Sequence, residues 1–230
     1  MNAKEINMSR LVGIYLDVKD AVIEHGFAWE IDWQADKRFE SINESDFLRE
    51  AAWTVLSAGF RESVIRRLFG PFSRAFLNWS SARLINTKRE YCRQKAFRLF
   101  GHKGKIRAIL DIAFIVSSLG FDTVKQRIRL KKEIYLQSLP YIGPVTSLHL
   151  AKNLGLPTVK PDRHLLRISS AAGYDSPLEM CREINKHTGD PIQVIDITLW
   201  RYATLVSNYT AVFAPLSNYC RPGENYNGHQ

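Results

Sequence analysis

Cysteine is scarce in this 230-residue chain: Cys92, Cys181 and Cys220 are odd in number and far apart, so the sequence offers neither a disulfide framework nor a Cys-x-x-Cys metal clip. Long hydrophobic runs are missing as well. No apolar stretch approaches the ~18 residues of a membrane span, and the polar segment Met1–Arg10 leads into no secretory-type hydrophobic stretch. The expectation is a soluble intracellular protein with no membrane partner. Runs of alternating apolar and polar residues between tight turns are lacking too, and with them the case for a sheet. Internal repeats, low-complexity tracts and long linkers are not found.

What is present is a hydrophobic fraction of 45%, enough to fill the core of one large domain or of two small ones around a shared cleft. The 32 Lys and Arg outnumber the 23 Asp and Glu, for a formal charge of +9. The excess is local. Residues 61–132 hold 18 Lys and Arg against 4 Asp and Glu, whereas residues 1–60 hold 6 against 11 and residues 133–230 balance at 8 and 8. A basic third suits a polyanion, through neutralised phosphates and released counterions. It also suits basic helices with solvated faces, and composition alone leaves both readings open.

Apolar spacing is helical almost throughout, which predicts an all-α chain. An opening helix places Leu11, Tyr15, Val18 and Val22 on one face and stops near Gly26, ahead of a polar loop with Trp29 and Trp33. Ser45 is the expected cap of a second helix with the stripe Leu48, Ala51, Ala52, Val55 and Leu56. Further helices are expected over 62–68, 88–100 and 105–119, with Gly120 ending the last and Asp122 capping its successor. Gly143-Pro144 opens a helix that Gly155 closes. Asp162 starts a helix toward Gly173, Ser176-Pro177-Leu178-Glu179 reads as a capping box, and Asp190-Pro191 opens a last long helix through Trp200 and Val206. The tail 217–230 is expected to fray.

Two segments carry chemistry. Leu139-Pro140-Tyr141-Ile142-Gly143-Pro144-Val145-Thr146 reads as a tight apolar hairpin between helices. Nineteen residues after Gly143, in Lys160-Pro161-Asp162-Arg163-His164-Leu165-Leu166-Arg167, stands an aspartate at a helix start. In this order and separation the pair resembles the helix-hairpin-helix DNA glycosylases of the HhH-GPD superfamily. Their hairpin usually reads Leu-Pro-Gly-x-Gly, and their catalytic Asp lies in a Pro-(Val)-Asp-x-His-(Val)-x-Arg element. Weaker echoes lie in Thr54–Arg61, similar to the family's Ile-Leu-Ser-x-Gln helix end, and in Gly104–Ile109, similar to its Lys-Ala-x-x-Ile helix. The resemblance spans roughly residues 45–206 of a chain taken as a single unit, 1–230.

The resemblance implies an all-α fold with helical lobes flanking an active-site cleft. It also implies binding, as a monomer, to double-stranded DNA with one nucleotide flipped out. Cytoplasmic, nucleoid-associated placement follows from that. Asp162 would be the catalytic carboxylate, with Lys160 and His164 in support. An Asp before a helix also serves as a plain N-cap. The hairpin residues Tyr141, Gly143, Val145 and Thr146 would meet a phosphate, the Gly143 and Val145 amides and Thr146 directly. Lys103, Lys105 and Arg107 would add cationic contacts. Phe60, beside Arg61, is the candidate wedge for the gap in the duplex. Trp29, Trp33, Trp53 and Tyr135 are candidate walls of a base pocket, although large rings such as Phe60 and these more often serve core packing.

Departures from the family pattern are informative. Tyr141 stands where the first hairpin glycine is usual, Ala58-Gly59 replaces the Gln after Leu-Ser, and Val145 occupies the place of the lysine of lyase-competent members. No amine for a Schiff base is available there. The family's four-cysteine iron–sulfur loop has no counterpart, so no cofactor is expected beyond a monovalent cation on hairpin carbonyls. The expected activity is a monofunctional glycosylase, in repair or in defence against modified phage DNA. A non-catalytic DNA-binding module and a glycosylase/lyase using Lys160 are the alternatives.

Overall fold

The computed structural model describes residues 3–214, with side chains from residue 7 onward, and all of its regular structure is helical. Cys220 and the expected frayed tail lie outside the described residues. The described residues form two compact units: residues 37–156 make one, and those up to 36 together with those from 157 onward make the other.

The contiguous unit holds α3 (Glu44–Ser57), α4 (Glu62–Ala75), α5 (Ala82–Thr87), α6 (Arg89–Leu99), α7 (Lys103–Leu119), α8 (Phe121–Gln137) and α9 (Pro144–Asn153). The discontinuous unit holds α1 (Ala3–Val22), α2 (Ala28–Ala35), α10 (Arg163–Ala171), α11 (Pro177–Thr188) and α12 (Ile192–Leu205).

Helix α3 shows how sequence sets these elements. The Asn43 side chain accepts from the Asp46 amide at 2.9 Å, while the Asp46 carboxylate accepts from the Asn43 amide at 3.2 Å. This reciprocal box, rather than Ser45, starts the helix. Its expected stripe is buried: Leu48, Ala51, Ala52, Val55 and Leu56 pack against α7 and α9. Glu50 on the same helix is buried with them and donated to by Asn153 of α9 at 3.0 Å. Burial pushes its carboxyl above the usual range. Helix α4 runs past Leu68 to Ala75, with Pro71 inside it, and its far end joins an aromatic core. Phe72 and Phe76 stack at 5.0 Å, Phe76 and Trp79 at 5.0 Å. Gly120, not Asp122, is the N-cap of α8.

In the discontinuous unit α1 buries the expected Leu11, Tyr15, Val18 and Val22, and packs on α11 and α12. A wide turn with Gly26 at φ 83° ends it. The segment with Trp29 and Trp33, expected as a loop, is helix α2. Arg201 of α12 reaches it through two bonds to the Glu30 carboxylate, at 2.7 and 2.6 Å, and lies over Phe27. A buried bidentate pair of this kind holds two helices in one register. Helix α11 starts at Pro177, but Ser176 makes no side-chain cap bond.

Two of the positive-φ glycines, Gly155 and Gly189, separate backbone strain from crowding. A Cβ at Gly155 (φ +86°) would sit 2.8 Å from both the Lys37 carbonyl oxygen and the Phe39 amide nitrogen, whereas one at Gly189 (φ +75°) meets nothing within 4 Å. Gly189→Ala should cost about 1 kcal/mol from the backbone alone, and Gly155→Ala about 3 kcal/mol or more, read as urea unfolding midpoints.

Candidate functional site

The contiguous unit brings three loop ends together around one buried lysine. Helix α3 ends in a turn whose residues have type II character: Ala58 at φ −58°, ψ 114°, Gly59 at φ +76°, and the Phe60 amide bonded to the Ser57 carbonyl at 3.1 Å. The Ala58-Gly59 pair is thus what the turn demands, and it projects Phe60 outward. The hairpin repeats the device. Pro140 and Tyr141 occupy the central positions of a turn closed by the Ile142 amide on the Leu139 carbonyl at 3.1 Å, with Tyr141 at φ +67°. Tyrosine therefore adopts the backbone that glycine supplies in the usual hairpin.

Lys105 lies between the two turns. It was expected among the phosphate-binding cations, but its side chain is buried and committed to α3. Its ammonium donates to the carbonyls of Val55, Leu56 and Ala58 at 2.7, 2.8 and 2.5 Å. These belong to the helix end that has no intrahelical donors left, where a cation is also favoured by the helix dipole. Above it lie the faces of Phe60, 4.7 Å from Nζ to ring centre, and Tyr141, at 5.5 Å. Burial pulls its pKa from the ordinary 10.5 down to about 8. His102, which sequence reading passed over, caps α7 by accepting from the Lys105 amide at 3.3 Å, and Phe100 stacks beside it at 6.0 Å. Lys103 and Arg107, by contrast, are exposed, although Arg107 lies 3.6 Å from Asp111. Arg61 is exposed at the start of α4.

Helix α9 begins at Pro144. Thr146 does not point away from its own chain: its hydroxyl accepts from the Gly143 amide at 2.7 Å and faces the Gly143 carbonyl at 3.2 Å. The Gly143 amide, expected on a phosphate, is therefore used within the hairpin. The amides of Val145 and Thr146 head the first turn, where helix geometry leaves donors for an anion. Of the hairpin carbonyls, those of Leu139 and Gly143 accept bonds from Ile142 and Ser147. Those of Pro140, Tyr141 and Ile142 are the ones that would hold a monovalent cation.

Asp162 belongs to the discontinuous unit. It is half-buried and caps α10, with Oδ1 accepting from the His164 amide at 2.9 Å and the Leu165 amide at 3.2 Å. Its Oδ2 accepts no hydrogen bond among the described residues. The strand of chain leading to it is pinned twice: the Asp162 amide bonds back to the Lys160 carbonyl at 2.8 Å, and the Lys160 amide donates to the buried Asp196 carboxylate at 2.7 Å. Asp196 escaped the sequence reading, although a lone acid within the apolar run of α12 was its signal. The His164 ring faces the hydroxyl of Tyr209 at 3.0 Å and accepts from Arg163 at 3.3 Å, while the Asp162 carboxylate accepts from the His164 backbone amide and not from its ring. Burial holds its imidazole below the usual pKa, against the pull of the Asp162 charge. Nothing in the local pattern pointed to Tyr209.

The candidate pocket aromatics divide between the units. Trp29 and Trp33 sit on α2, Trp29 half-exposed. In the other unit Trp53 packs edge-on against Phe69 at 5.0 Å as part of the aromatic core, with Arg66 over its face at 5.8 Å. Tyr135 is buried near the end of α8 with its hydroxyl unpaired among the described residues. Among the described residues no helix is long and apolar enough to cross a membrane. Comparison with known family models, with curated proteins and with solved structures finds no match to this chain.

Lys105→Met keeps the buried stem but strands three carbonyls without their donor. We expect a loss of about 2–3 kcal/mol in urea unfolding at pH 7. The parent should also gain stability from this group between pH 8 and 10.5, because there the unfolded chain holds a proton that the folded one has released. The methionine variant should lack that gain.

Proposed function

We propose that the chain is a monofunctional DNA glycosylase that hydrolyses the N-glycosidic bond of a damaged or modified base turned out of duplex DNA. The observation that carries the reading is the carboxylate of Asp162, nineteen residues beyond Gly143 in the order the glycosylase resemblance requires. One of its oxygens is fixed by two helix amides and the other takes no hydrogen bond among the described residues. A fixed carboxylate with one uncommitted oxygen suits a reaction whose sugar turns cationic. Water attacks the anomeric carbon as the bond to the base nitrogen breaks. The base leaves with the bonding pair and is protonated, and Asp162 stabilises the sugar's charge and takes the proton of the water. The Val145 and Thr146 amides hold a backbone phosphate, and Lys103, Arg107 and Arg61 add charge.

The aliphatic Val145 supplies no amine for β-elimination. On a panel of modified-base duplexes and modified phage DNA, the protein should therefore release a base while leaving the strand intact until alkali is added, and borohydride should trap no adduct. Asp162→Asn should slow release more than about a hundredfold, with DNA affinity equal or improved. Release at the parental rate would remove Asp162 from the chemistry. DNA binding without release from any substrate would favour a non-catalytic module in which Asp162 is an N-cap only. An adduct that vanishes in Lys160→Ala would mean a lyase.

A further inference from the structure

We propose that Phe60 and Tyr141, with Phe100 and His102 behind them, form a stacking platform for an unpaired nucleobase, so that the protein prefers DNA containing unpaired nucleotides to fully paired duplex. The inference rests on the DNA-binding reading above and adds to it a substrate preference.

Four rings from three separate loops meet here. Phe60 and Phe100 lie 5.2 Å apart at 70°, Phe100 and His102 are 6.0 Å apart and near parallel at 15°, and His102 meets Tyr141 at 6.0 Å and 88°. The two outer rings are 42% and 47% exposed. Exposed rings are common singly, but these two share one ammonium, Lys105, which presents its charge to both faces.

Tyr141 adds the decisive point. A residue with a side chain at φ +67° carries backbone strain that glycine would not. The ring is half-exposed, and its contacts are the Lys105 ammonium at 5.5 Å and the edge of His102 at 6.0 Å, so one face of it is left to solvent. What the ring does offer is a flat π surface at the protein's edge, backed by a cation, and the exposed cations Arg61 and Lys103 adjoin Phe60 and His102 in sequence. A flat π system joined to phosphates is what a nucleotide presents, and base–aromatic stacking is tolerant of sequence. A base inside an intact duplex has both faces covered, so only an unpaired one gains from the platform.

The test compares a fully paired duplex with the same duplex carrying a three-nucleotide bubble, by fluorescence anisotropy at fixed salt. The parent should bind the bubble roughly tenfold more tightly, and Tyr141→Gly and Phe60→Ala should each lower bubble affinity by up to about tenfold, toward that of paired duplex. Tyr141→Gly relieves the strained backbone but loses the ring over Lys105, so its melting temperature should stay within a few degrees of the parent's. A loss of bubble affinity in a variant as stable as the parent reports the ring's own contact with DNA. Equal binding of both DNAs by the parent, or a preference that survives in Tyr141→Gly, would overturn the platform and leave the DNA-binding reading standing. Binding to neither DNA would overturn both.

Discussion

The buried ammonium of Lys105 is the constraint on which the meeting of three loop ends in the contiguous unit depends. A helix must end somewhere, and α3 ends with last carbonyls that no helical amide can satisfy. Lys105 answers three of them at once. That ties the turn carrying Phe60 to the first turn of α7, and the ammonium sits beneath the ring of Tyr141. One charge thus ties three chain segments that are distant in sequence. Carbonyl oxygens and ring faces offset part of the cost of burying it, and the remainder shows in its lowered pKa.

The discontinuous unit uses the opposite charge in a parallel way. The buried Asp196 carboxylate holds the backbone at Lys160, and a tight turn passes that constraint to Asp162. A carboxylate on a free loop would have many orientations. Here one oxygen is already spent on the α10 amides, so the direction of the other is settled before any ligand arrives. On the proposed reading that preorganisation is what separates a catalytic aspartate from an ordinary cap.

Much of this was legible in the sequence where local rules govern. The all-helical class, the buried faces of α1 and α3, the Pro144 start and the Asp162 cap follow from periodicity and capping chemistry, and the structure has each of them. Failures occurred where a distant partner overrules the local signal. Lys105 reads as a surface cation because its carbonyl partners are 47 to 50 residues away. Trp29 and Trp33 read as loop residues because nothing nearby announces that Arg201 will fasten their helix through Glu30. Ser45 lost to Asn43 because the reciprocal partner, Asp46, sits at the spacing a box requires from Asn43. Asp196 and Tyr209 act only through the fold, on backbone and ring atoms that no motif marks.

The central claim concerns a covalent bond, and the released molecule tests it most directly. The parent and Asp162→Asn should each be held in excess over duplexes bearing modified bases, and the low-mass fraction analysed by mass spectrometry. A glycosylase yields the free base together with a full-length strand carrying an aldehydic abasic sugar, from the parent and not from the variant. DNA that is bound by the parent yet keeps every base, across repair lesions and modified phage DNA alike, would contradict the assignment.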